Sequence, residues 1–332
     1  MGGMSGEHEV SLASARSVME SLDRKKYQVV PIKIGRDGRW PKGLMILPQP
    51  NLIKFDIIIP MMHGTYGEDG KIQGLLELAN VAYVGGNVLG SALAMDKILT
   101  KELLVAAGIR TPQYFWYSKY EYQRQESRCL KELVRKLGWP MFVKPSNLGS
   151  SVAISKVSNQ LELKAAIRLA LKYDTRVIIE KSIENATDVE CSVLGNYRPR
   201  ASLPGEVIPA DQFYSYRDKY IDGKTRFVIP AALPKKTIKE IRELAVNVFK
   251  LLDLSGLARV DFLINKKNRK LYLNEVNTMP GFNKISMYPK MWQASGLPYE
   301  KLLDELIKLA LEKHFEKNQL TTAFALGKAI NV

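Results

Sequence analysis

Two neighbouring segments in the last third of the chain carry carboxylate, amide and guanidinium groups at strand spacing. Residues 256–264 and 270–277 both have the apolar pattern of β-strands, and the polar residues between them are typical of a hairpin turn. Side chains that are two positions apart on a strand point to the same face of the sheet. The pairs that share a face in this way are Arg259 with Asp261, and Glu275 with Asn277.

Antiparallel pairing about this turn predicts that Asp261 lies opposite Asn274 or Glu275. Two carboxylates, an amide oxygen and a guanidinium would then meet on one sheet face. Oxygen ligands of this kind suit Mg²⁺ that is held jointly with substrate phosphates. The alternative is an ordinary hairpin whose polar face is solvated. Four such residues on one face, followed by the turn at residues 278–281, favour the metal site.

A second group of candidate residues is centred on lysines. Lys144 ends a predicted strand, and the small residues 145–151 that follow could close over phosphates through backbone N–H groups. This is no Walker A loop, because no Gly-Lys-Ser/Thr opens a helix there. Taken alone, Lys97 and Lys219 would be interpreted as solvated side chains. Residues 213–220, however, mix aromatic and charged side chains between strands, as a closing lid does.

His63 lies where a predicted strand leaves the sheet, and ligands gather at the carboxyl ends of strands in α/β sheets. A single loop histidine is more often structural or solvated than functional. Glu68 and Asp69 close by favour a functional role for this one.

The elements that must position these residues begin with an α/β pattern. A glycine-rich loop at residues 2–6 opens a helix, yet no strand pattern precedes that loop. Residues 55–60 form an apolar run typical of a buried parallel strand, and a helix over 72–79 and a strand over 81–84 follow. The order strand, helix, strand indicates a parallel α/β unit.

Beyond Gly85-Gly86 the pattern changes to helices and strands of an α+β kind. The tail from Lys317 is weakly patterned and is expected to be mobile. We predict helices over 91–107, 130–137, 160–172, 237–252 and 298–315, and strands over 141–144, 177–180, 190–194, 200–208 and 227–229, besides the two strands of the hairpin.

Composition excludes several classes of protein. The 332 residues fit two or three domains, and a hydrophobic share of 46% argues against a disordered chain. No apolar stretch is long enough to span a bilayer, the N-terminus lacks a signal-peptide pattern, and two cysteines suit a reducing compartment. We therefore expect a cytoplasmic protein that binds no membrane.

The charge raises one competing hypothesis. Lys and Arg number 49 against 34 Asp and Glu, a formal net charge of +15, which would suit a nucleic-acid-binding protein. The sequence contains no basic run interleaved with aromatic residues and no recognisable nucleic-acid-binding motif. We expect no nucleic-acid partner.

Taken together, these motifs resemble the D-alanine–D-alanine ligase family of the ATP-grasp superfamily. Residues 63–73 (HGTYGEDGKIQ) match the first signature of that family, and residues 256–281, with R-x-D and NEVNTMPG, match the second. Between them, in the family's order, lie MDK at 95–97, KPS at 144–146, GSS at 149–151, IEK at 179–181 and YRDKY at 216–220. The resemblance covers the chain from Gly2 to about Leu311.

The resemblance implies an ATP-grasp fold, α/β and α+β, with three domains: an N-terminal parallel α/β domain over residues 1–86, a central subdomain over 87–180, and a C-terminal subdomain with the metal site over 181–316, followed by the tail at 317–332. The family's first strand normally precedes the Gly-Gly loop and is missing from the pattern here. The implied reaction is ATP-dependent formation of D-alanyl-D-alanine for peptidoglycan synthesis, with ADP as product, by an enzyme that is commonly a homodimer.

The family's functional residues carry over to matching positions of this chain. The implied catalytic residues are Glu7, Ser150, Tyr220, Arg259, Gly281 and Ser286. The implied substrate-binding residues are His63, Glu68, Ser286 and Met287. ATP would contact Lys97, Lys144, Ser151, Glu180, Lys181, Glu190 and Lys219. Two Mg²⁺ or Mn²⁺ ions would bind Asp261, Glu275 and Asn277.

The second substrate is the point on which the family resemblance leaves alternatives. Related ligases join D-lactate or D-serine to D-alanine. D-lactate ligases have a histidine where this chain has Tyr220, and a cationic lid would repel a protonated amine. The neutral Tyr220 therefore favours an amine as the nucleophile, with D-alanine as the expected acceptor and D-Ala-D-Ser or D-Ala-D-Lac ligation as the alternative.

Overall fold

A computed structural model describes residues 1–41, 55–149, 152–208 and 225–321 of the chain. These ranges contain nine helices and twelve strands, which form one small parallel sheet and two antiparallel sheets. No helix within them is both long and apolar enough to cross a bilayer. The protein therefore has the mixed α/β and α+β architecture that the sequence predicts.

The N-terminal part is the predicted α/β unit. Strand β1 (Ile57–Ile58) pairs in parallel with β2 (Ala82–Tyr83), and helix α2 (Lys71–Leu78) connects them. Residues 1–7 precede α1 (His8–Ser21) and contribute an isolated parallel bridge at Gly2 but no strand. Among the described residues, no strand precedes α1.

Strand β1 is shorter than the run predicted over 55–60. Pro60 has no N–H to donate to a neighbouring strand, which prevents a regular ladder from continuing through it. Beside β1 lies an open, mainly apolar cavity of about 630 Å³, whose lining includes Met1, Val18, Val29 and Ile58.

The single helix predicted over 91–107 is wrong, since the chain forms two helices there, α3 (Val88–Met95) and α4 (Lys97–Ala106). Asp96 separates them with an extended backbone (φ −82°, ψ 101°), and its Oδ1 accepts hydrogen bonds from the N–H groups of Ile98 and Leu99. Aspartate is a preferred N-cap because it satisfies such unpaired donors. The break places Lys97 at the first position of α4.

The first antiparallel sheet has the strand order β3-β6-β4-β5. Helix α5 begins earlier than the prediction over 130–137, because Ser118 and Glu121 form a reciprocal capping box at its start. Strands β3 and β5 were not predicted. The elements are β3 (Tyr114–Ser118), α5 (Lys119–Leu137), β4 (Met141–Pro145), β5 (Ser155–Val157), α6 (Gln160–Tyr173) and β6 (Arg176–Lys181).

The second antiparallel sheet has six strands in the order β10-β9-β7-β11-β12, with β8 paired to β7. The strand predicted over 200–208 is interrupted at Pro204, which cannot donate to a ladder. The elements are β7 (Ala186–Gly195), β8 (Arg200–Ala201), β9 (Gly205–Ile208), β10 (Arg226–Val228), α7 (Lys235–Leu251), β11 (Gly256–Asn265) and β12 (Leu271–Asn277).

Two helices close the described chain. Helix α8 (Met287–Ala294) was not predicted, since it is short and contains Pro289, which is tolerated in a first turn. Helix α9 (Tyr299–Asn318) continues two residues into the predicted tail, and residues 322–332 lie outside the described part.

The core of the larger sheet is formed with one face of α7. Ile241, Ala245, Val248 and Phe249 are fully buried at helical spacing and pack against the strands. Both cysteines are free thiols in buried positions, Cys129 on α5 and Cys191 on β7. Burial raises the pKa of Cys191 to about 12.

Candidate active site

The hairpin of β11 and β12 brings the predicted metal and oxyanion residues together. Asp261 lies opposite Glu275, and Arg259 lies opposite Asn277. The guanidinium of Arg259 donates two hydrogen bonds of 2.7 Å to the two carboxylate oxygens of Asp261. The amide of Asn277 donates to Asp261 Oδ2 at 2.9 Å. One of the two predicted pairings, Asp261 with Glu275, is therefore confirmed.

Arg259 is shared between two strands. Its Nε lies 3.1 Å from Oε2 of Glu190, which is on β7 opposite Asp261. Burial opposes the charge on Arg259, but the carboxylates of Asp261 and Glu190 outweigh it and raise the pKa of the guanidinium. The site thus holds a permanent cation that is fixed from two sides.

The donor set of this face fits a divalent cation shared with phosphates. Asp261, Glu275 and Asn277 offer two carboxylates and one amide oxygen, which are hard ligands of the kind that Mg²⁺ takes. In the described ranges, no cluster of three or more His, Cys, Asp or Glu side chains could hold a metal ion without help. Substrate oxygens would have to complete the coordination, as is usual for Mg²⁺ with a nucleotide.

A buried cluster of ion pairs lies next to the hairpin. Lys144 on β4 donates to Glu180 Oε2 at 2.9 Å, and its Nζ also contacts Asn274 Oδ1 on β12 at 3.4 Å. Burial opposes the charge of Lys144, but Glu180 outweighs it and raises the pKa of the lysine. The pKa of Glu180 is in turn lowered, because Lys101 and Lys144 outweigh its burial. The contact with Asn274 joins the two antiparallel sheets at the site.

Two other lysines predicted for the ATP site, Lys97 and Lys181, lie in different surroundings. Lys97 is buried and donates to the carbonyl oxygen of Leu148 at 2.7 Å, and burial lowers its pKa. Lys181 is exposed at the end of β6, on the strand face opposite that of Glu180. The structure therefore brings Lys97, Lys144 and Glu180 into one cluster and places the Lys181 side chain outside it.

Glu7 lies at the contact between the N-terminal part and the loop after β4. It is buried, and a Cβ added at Gly64 or at Gly149 would lie 2.5 or 2.8 Å from its Oε2. Only glycine leaves room for the carboxylate at both positions. The predicted catalytic residue is thus confined between two loops.

His63 is buried and hydrogen-bonded through both ring nitrogens. Nδ1 lies 2.8 Å from the carbonyl oxygen of Met279, and Nε2 lies 2.8 Å from the hydroxyl of Ser14 on α1. Glu68 Oε1 lies 3.6 Å from Nδ1. Burial lowers the pKa of His63, but Glu68 outweighs that effect, and the net shift is upward. These contacts place His63 beside the loop that follows β12.

That loop carries the predicted oxyanion donor, Gly281. A Cβ on Gly281 would lie 3.0 Å from the hydroxyl of Ser286, so the two predicted residues are neighbours. Ser286 precedes α8, and its hydroxyl donates to Asn283 Oδ1 at 2.9 Å. The side chain of Met287 is buried among Val207 and other apolar groups. Ser286 is thus positioned near the site, while Met287 contributes to packing.

Comparison with protein-family models gives two matches that cover most of the chain. The model described as the D-ala D-ala ligase C-terminus matches residues 103–308, and the model of the D-ala D-ala ligase N-terminus matches residues 1–48 and 41–86. The chain belongs to the D-alanine–D-alanine ligase family.

Members of this family with curated names and with solved structures match over nearly their full length. The D-alanine–D-alanine ligase of Thermoanaerobacter sp. (strain X514) is 46% identical over 95% of this chain and 96% of its own, and that of Natranaerobius thermophilus is 43% identical over 98% and 97%. The structure of the D-alanine–D-alanine ligase from Coxiella burnetii aligns with a TM-score of 0.81 at 38% identity, covering 96% and 94%. The VanG D-Ala:D-Ser ligase from Enterococcus faecalis aligns with a TM-score of 0.83 at 35% identity, covering 93% and 97%.

Four residues that the family resemblance implies fall outside the described part of the chain. They belong to the loop after Gly149 and to the predicted lid over 213–220, and they remain predictions. These residues are Ser150, Ser151, Lys219 and Tyr220.

Two buried residues of this family member were missed from the sequence. Lys101 lies on the same face of α4 as Lys97, and its ammonium is 3.3 Å from Glu180 Oε1. Ser14 connects α1 to His63. The spacing of four between Lys97 and Lys101 was a usable signal, whereas a single helical serine carries none.

Proposed function

We propose that this protein is an ATP-dependent, ADP-forming ligase that joins two molecules of D-alanine into D-alanyl-D-alanine for peptidoglycan precursors. The relatives of this chain are named D-alanine–D-alanine ligases. The structural observation that carries the proposal is the position of the hairpin beside a buried cluster of lysines. The Arg259–Asp261 face of the hairpin adjoins the buried pair of Lys144 and Glu180, with Asn274 in contact with Lys144. An acidic face for metal-bound phosphates thus lies beside cations that suit a nucleotide.

The chemistry explains why ATP is required. A carboxylate is a poor acyl donor at neutral pH, so a carboxylate oxygen of the first D-alanine attacks the γ-phosphorus of ATP, which gives D-alanyl phosphate and ADP. Phosphoryl transfer needs positioning and positive charge more than covalent help. Lys97 and Lys144 are proposed to supply that charge, and Lys181, Lys219 and Ser151 are further proposed contacts. Glu180 and Glu190 are proposed to bind adenine and ribose.

Asp261, Glu275 and Asn277 are proposed to hold two Mg²⁺ or Mn²⁺ ions. Held by these residues, such ions would supply positive charge to the phosphates of ATP. Arg259 keeps Asp261 in place through two hydrogen bonds, which preorganises the carboxylate for that task.

In the second step, the amine of the second D-alanine attacks the acyl carbon. The ammonium group first loses one proton to solvent, and the neutral amine attacks to give a tetrahedral oxyanion. Collapse of the oxyanion expels phosphate, which takes up the second proton from the nitrogen. We assign Arg259 and the N–H of Gly281 as donors to that oxyanion, since fixed donors of this kind are typically worth about 3–4 kcal/mol of barrier. Glu7, Ser150 and Tyr220 are proposed to bind the first D-alanine, beside His63 and Glu68. Ser286, which lies next to Gly281, is proposed to bind the carboxylate of the second D-alanine. Met287 is a further proposed substrate contact.

We also propose domain boundaries, a cellular location and an oligomeric state for this protein. The four-stranded sheet lies within residues 87–180 apart from its last residue, and the six-stranded sheet lies within 181–316, which supports the boundaries expected from the sequence. ATP would bind between these two subdomains. Use of ATP supports a cytoplasmic location, and the family supports a homodimer.

A second candidate function is D-alanine–D-serine ligation. The observation that favours it is the structural match to the VanG D-Ala:D-Ser ligase. The higher identity to relatives named D-alanine–D-alanine ligase, 42–46%, favours D-alanine as the acceptor.

One experiment separates these functions. ADP release and product mass are measured with ATP and Mg²⁺ in the presence of D-alanine alone, and then with D-serine or D-lactate added. We expect D-alanine alone to give ADP and D-alanyl-D-alanine. No ADP with D-alanine would refute the proposal, and a mixed dipeptide as main product would favour the D-serine alternative.

A further inference from the structure

The ammonium group of Lys101 is buried beside the carboxylate of Glu180, which does not need it for charge neutralisation. Its side chain is 1% exposed, and Glu180, the carboxylate beside it, is already paired with Lys144 at 2.9 Å. Burying an additional ammonium costs free energy unless that group is paired and hydrogen-bonded. A second lysine on Glu180 therefore calls for a role other than neutralisation.

Lys101 contacts three groups on neighbouring elements. Its Nζ donates to Thr111 Oγ1 at 2.6 Å, lies 3.3 Å from Glu180 Oε1, and lies 5.9 Å from the centre of the Tyr114 ring. Thr111 and Tyr114 fix the ammonium from one side, and Glu180 faces it from the other. Lys101 thus connects α4 to one particular oxygen of the carboxylate.

That oxygen differs from its partner on the same carboxylate. Oε2 accepts a hydrogen bond from Lys144 at 2.9 Å, whereas the contact of Oε1 is the longer one, 3.3 Å from the ammonium of Lys101. A carboxylate oxygen has two lone pairs, so the contact with Lys101 leaves Oε1 able to accept a second hydrogen bond. An N–H donor of a bound ligand would suit that second position.

The base of the nucleotide offers such a donor. Adenine presents an exocyclic amino group where guanine presents a carbonyl oxygen, and a carboxylate can accept a hydrogen bond only from the former. The cluster has three ammonium groups, those of Lys97, Lys101 and Lys144, facing the carboxylates of Glu180 and Glu275, so it also favours an anionic ligand.

We propose that Lys101 is a positioning residue of the nucleotide site, which fixes the orientation of the Glu180 carboxylate so that it accepts a hydrogen bond from the amino group of adenine and so sets the preference for ATP over GTP. This inference rests on the proposed function, because it takes the ligand to be ATP. Lys101 itself need not touch the nucleotide. Its effect is transmitted through the orientation of one carboxylate.

The test compares Lys101→Met, which keeps the length of the side chain but removes the charge, with Lys101→Arg, which keeps the charge. Lys131→Met, at an exposed position of α5, is the matched control. The Kd values of ATP and GTP are measured by calorimetry with Mg²⁺ and without D-alanine, and kcat and KM are measured separately with D-alanine.

We expect Lys101→Met to raise the Kd of ATP about tenfold, a typical effect of losing one charged interaction at a buried site, and to raise the Kd of GTP far less. The preference for ATP should shrink by a similar factor, while kcat at saturating ATP changes less than about threefold. Lys101→Arg should recover part of the preference, and Lys131→Met should behave as wild type.

A double variant tests whether Lys101 acts through Glu180. On a Glu180→Gln background, Lys101→Met should change the Kd of ATP less than about twofold, since contacting residues are not additive. Full additivity, or an unchanged preference in Lys101→Met, would overturn the proposal. If Lys101→Met does not fold, Thr111→Val is used instead, because it removes the hydrogen bond from the Lys101 ammonium to Thr111. Thr111→Val should also weaken the preference for ATP. An unchanged preference in that variant would overturn the proposal.

The two levels of inference fail differently. Wild-type protein that binds ATP but forms no ADP with D-alanine would refute the proposed reaction and leave the role of Lys101 supported by the binding data. Wild-type turnover with an unaltered Lys101→Met preference would refute only the role of Lys101. Wild-type protein that binds neither nucleotide would refute both.

Discussion

Nδ1 of His63 lies 2.8 Å from the carbonyl oxygen of Met279, a residue 216 positions further along the chain. The other ring nitrogen lies 2.8 Å from the hydroxyl of Ser14, which also accepts a hydrogen bond from the N–H of Phe282 at 3.3 Å. His63 and Ser14 therefore hold both ends of the four-residue loop that contains Gly281. The proposed oxyanion donor is positioned by the N-terminal part of the protein.

The first prediction concerns this loop. Ser14→Ala removes the hydroxyl that connects Phe282 to His63, and we expect kcat to fall about tenfold while the Kd of ATP is unchanged. Loss of the hydrogen bonds should also cost about 1–2 kcal/mol of unfolding free energy. Steady-state kinetics and urea unfolding measure the two effects.

Ser21→Ala is the matched control for Ser14→Ala. Ser21 is on the same helix and is also buried, but its hydroxyl has no hydrogen-bond partner among the described residues. It should leave kcat and stability close to wild type. Equal losses of kcat in the two variants would contradict a specific role for Ser14.

The second prediction concerns Arg259. Arg259→Lys keeps a positive charge but cannot donate to both oxygens of Asp261 while it faces Glu190, because the planar fork is lost. We expect kcat to fall about 100-fold, the usual effect of removing one oxyanion donor. Arg135→Lys, at an exposed position of α5, is the control and should have wild-type kcat. A loss smaller than threefold in Arg259→Lys would argue against the assignment.

The third prediction concerns pH and Lys101. Burial lowers the pKa of Lys101 to about 8, an effect that Glu180 opposes only in part. The unfolded chain keeps the proton up to about pH 10.4, so between pH 8 and that value the unfolded state binds more protons than the folded state. The contribution of Lys101 to the unfolding free energy therefore rises with pH in this window, by at most about 1.4 kcal/mol per pH unit.

Urea unfolding of wild type and Lys101→Met at pH 7.5 and pH 9.5 measures this contribution as a difference. The stability of wild type relative to the variant should increase at the higher pH. A difference that stays constant would show that Lys101 keeps an ordinary pKa in the folded protein.

The fourth prediction concerns the space around Glu7. Gly149→Ala would place a methyl group 2.8 Å from Glu7 Oε2 and should displace the carboxylate. We expect KM for D-alanine to rise about tenfold, because Glu7 is a proposed contact of the first D-alanine. Gly74→Ala on α2 is the control, because nothing lies within 4 Å of the added carbon. That variant should be stabilised by up to about 1 kcal/mol and keep its KM.

Much of the site could be predicted from local pattern. The hairpin residues follow from strand alternation and a recognisable turn, and the pairing of Asp261 with Glu275 needed only the position of that turn. The single helix over 91–107 failed, because periodicity alone does not reveal that Asp96 ends one helix and caps the next. Strand β3 was missed since its five residues have no alternation: all but the exposed Trp116 are half-buried.

The remaining contacts depend on tertiary packing. Neither the burial of Lys101 nor the connection from Ser14 through His63 to Met279 can be seen from residue types, because each partner comes from a separate part of the chain. The contact between Lys101 and Oε1 of Glu180 forms only because α4 and β6 lie side by side in the folded protein.

The burial of both thiols has a practical consequence. Cys191 is on the strand that carries Glu190, yet it is fully enclosed, and Cys129 is enclosed within α5 and its neighbours. Maleimide reagents attack thiolates, and a pKa of about 12 leaves Cys191 without thiolate at neutral pH. A single cysteine introduced at an exposed position such as Tyr197 could therefore be labelled with a fluorophore in the otherwise native chain, without first removing Cys129 or Cys191.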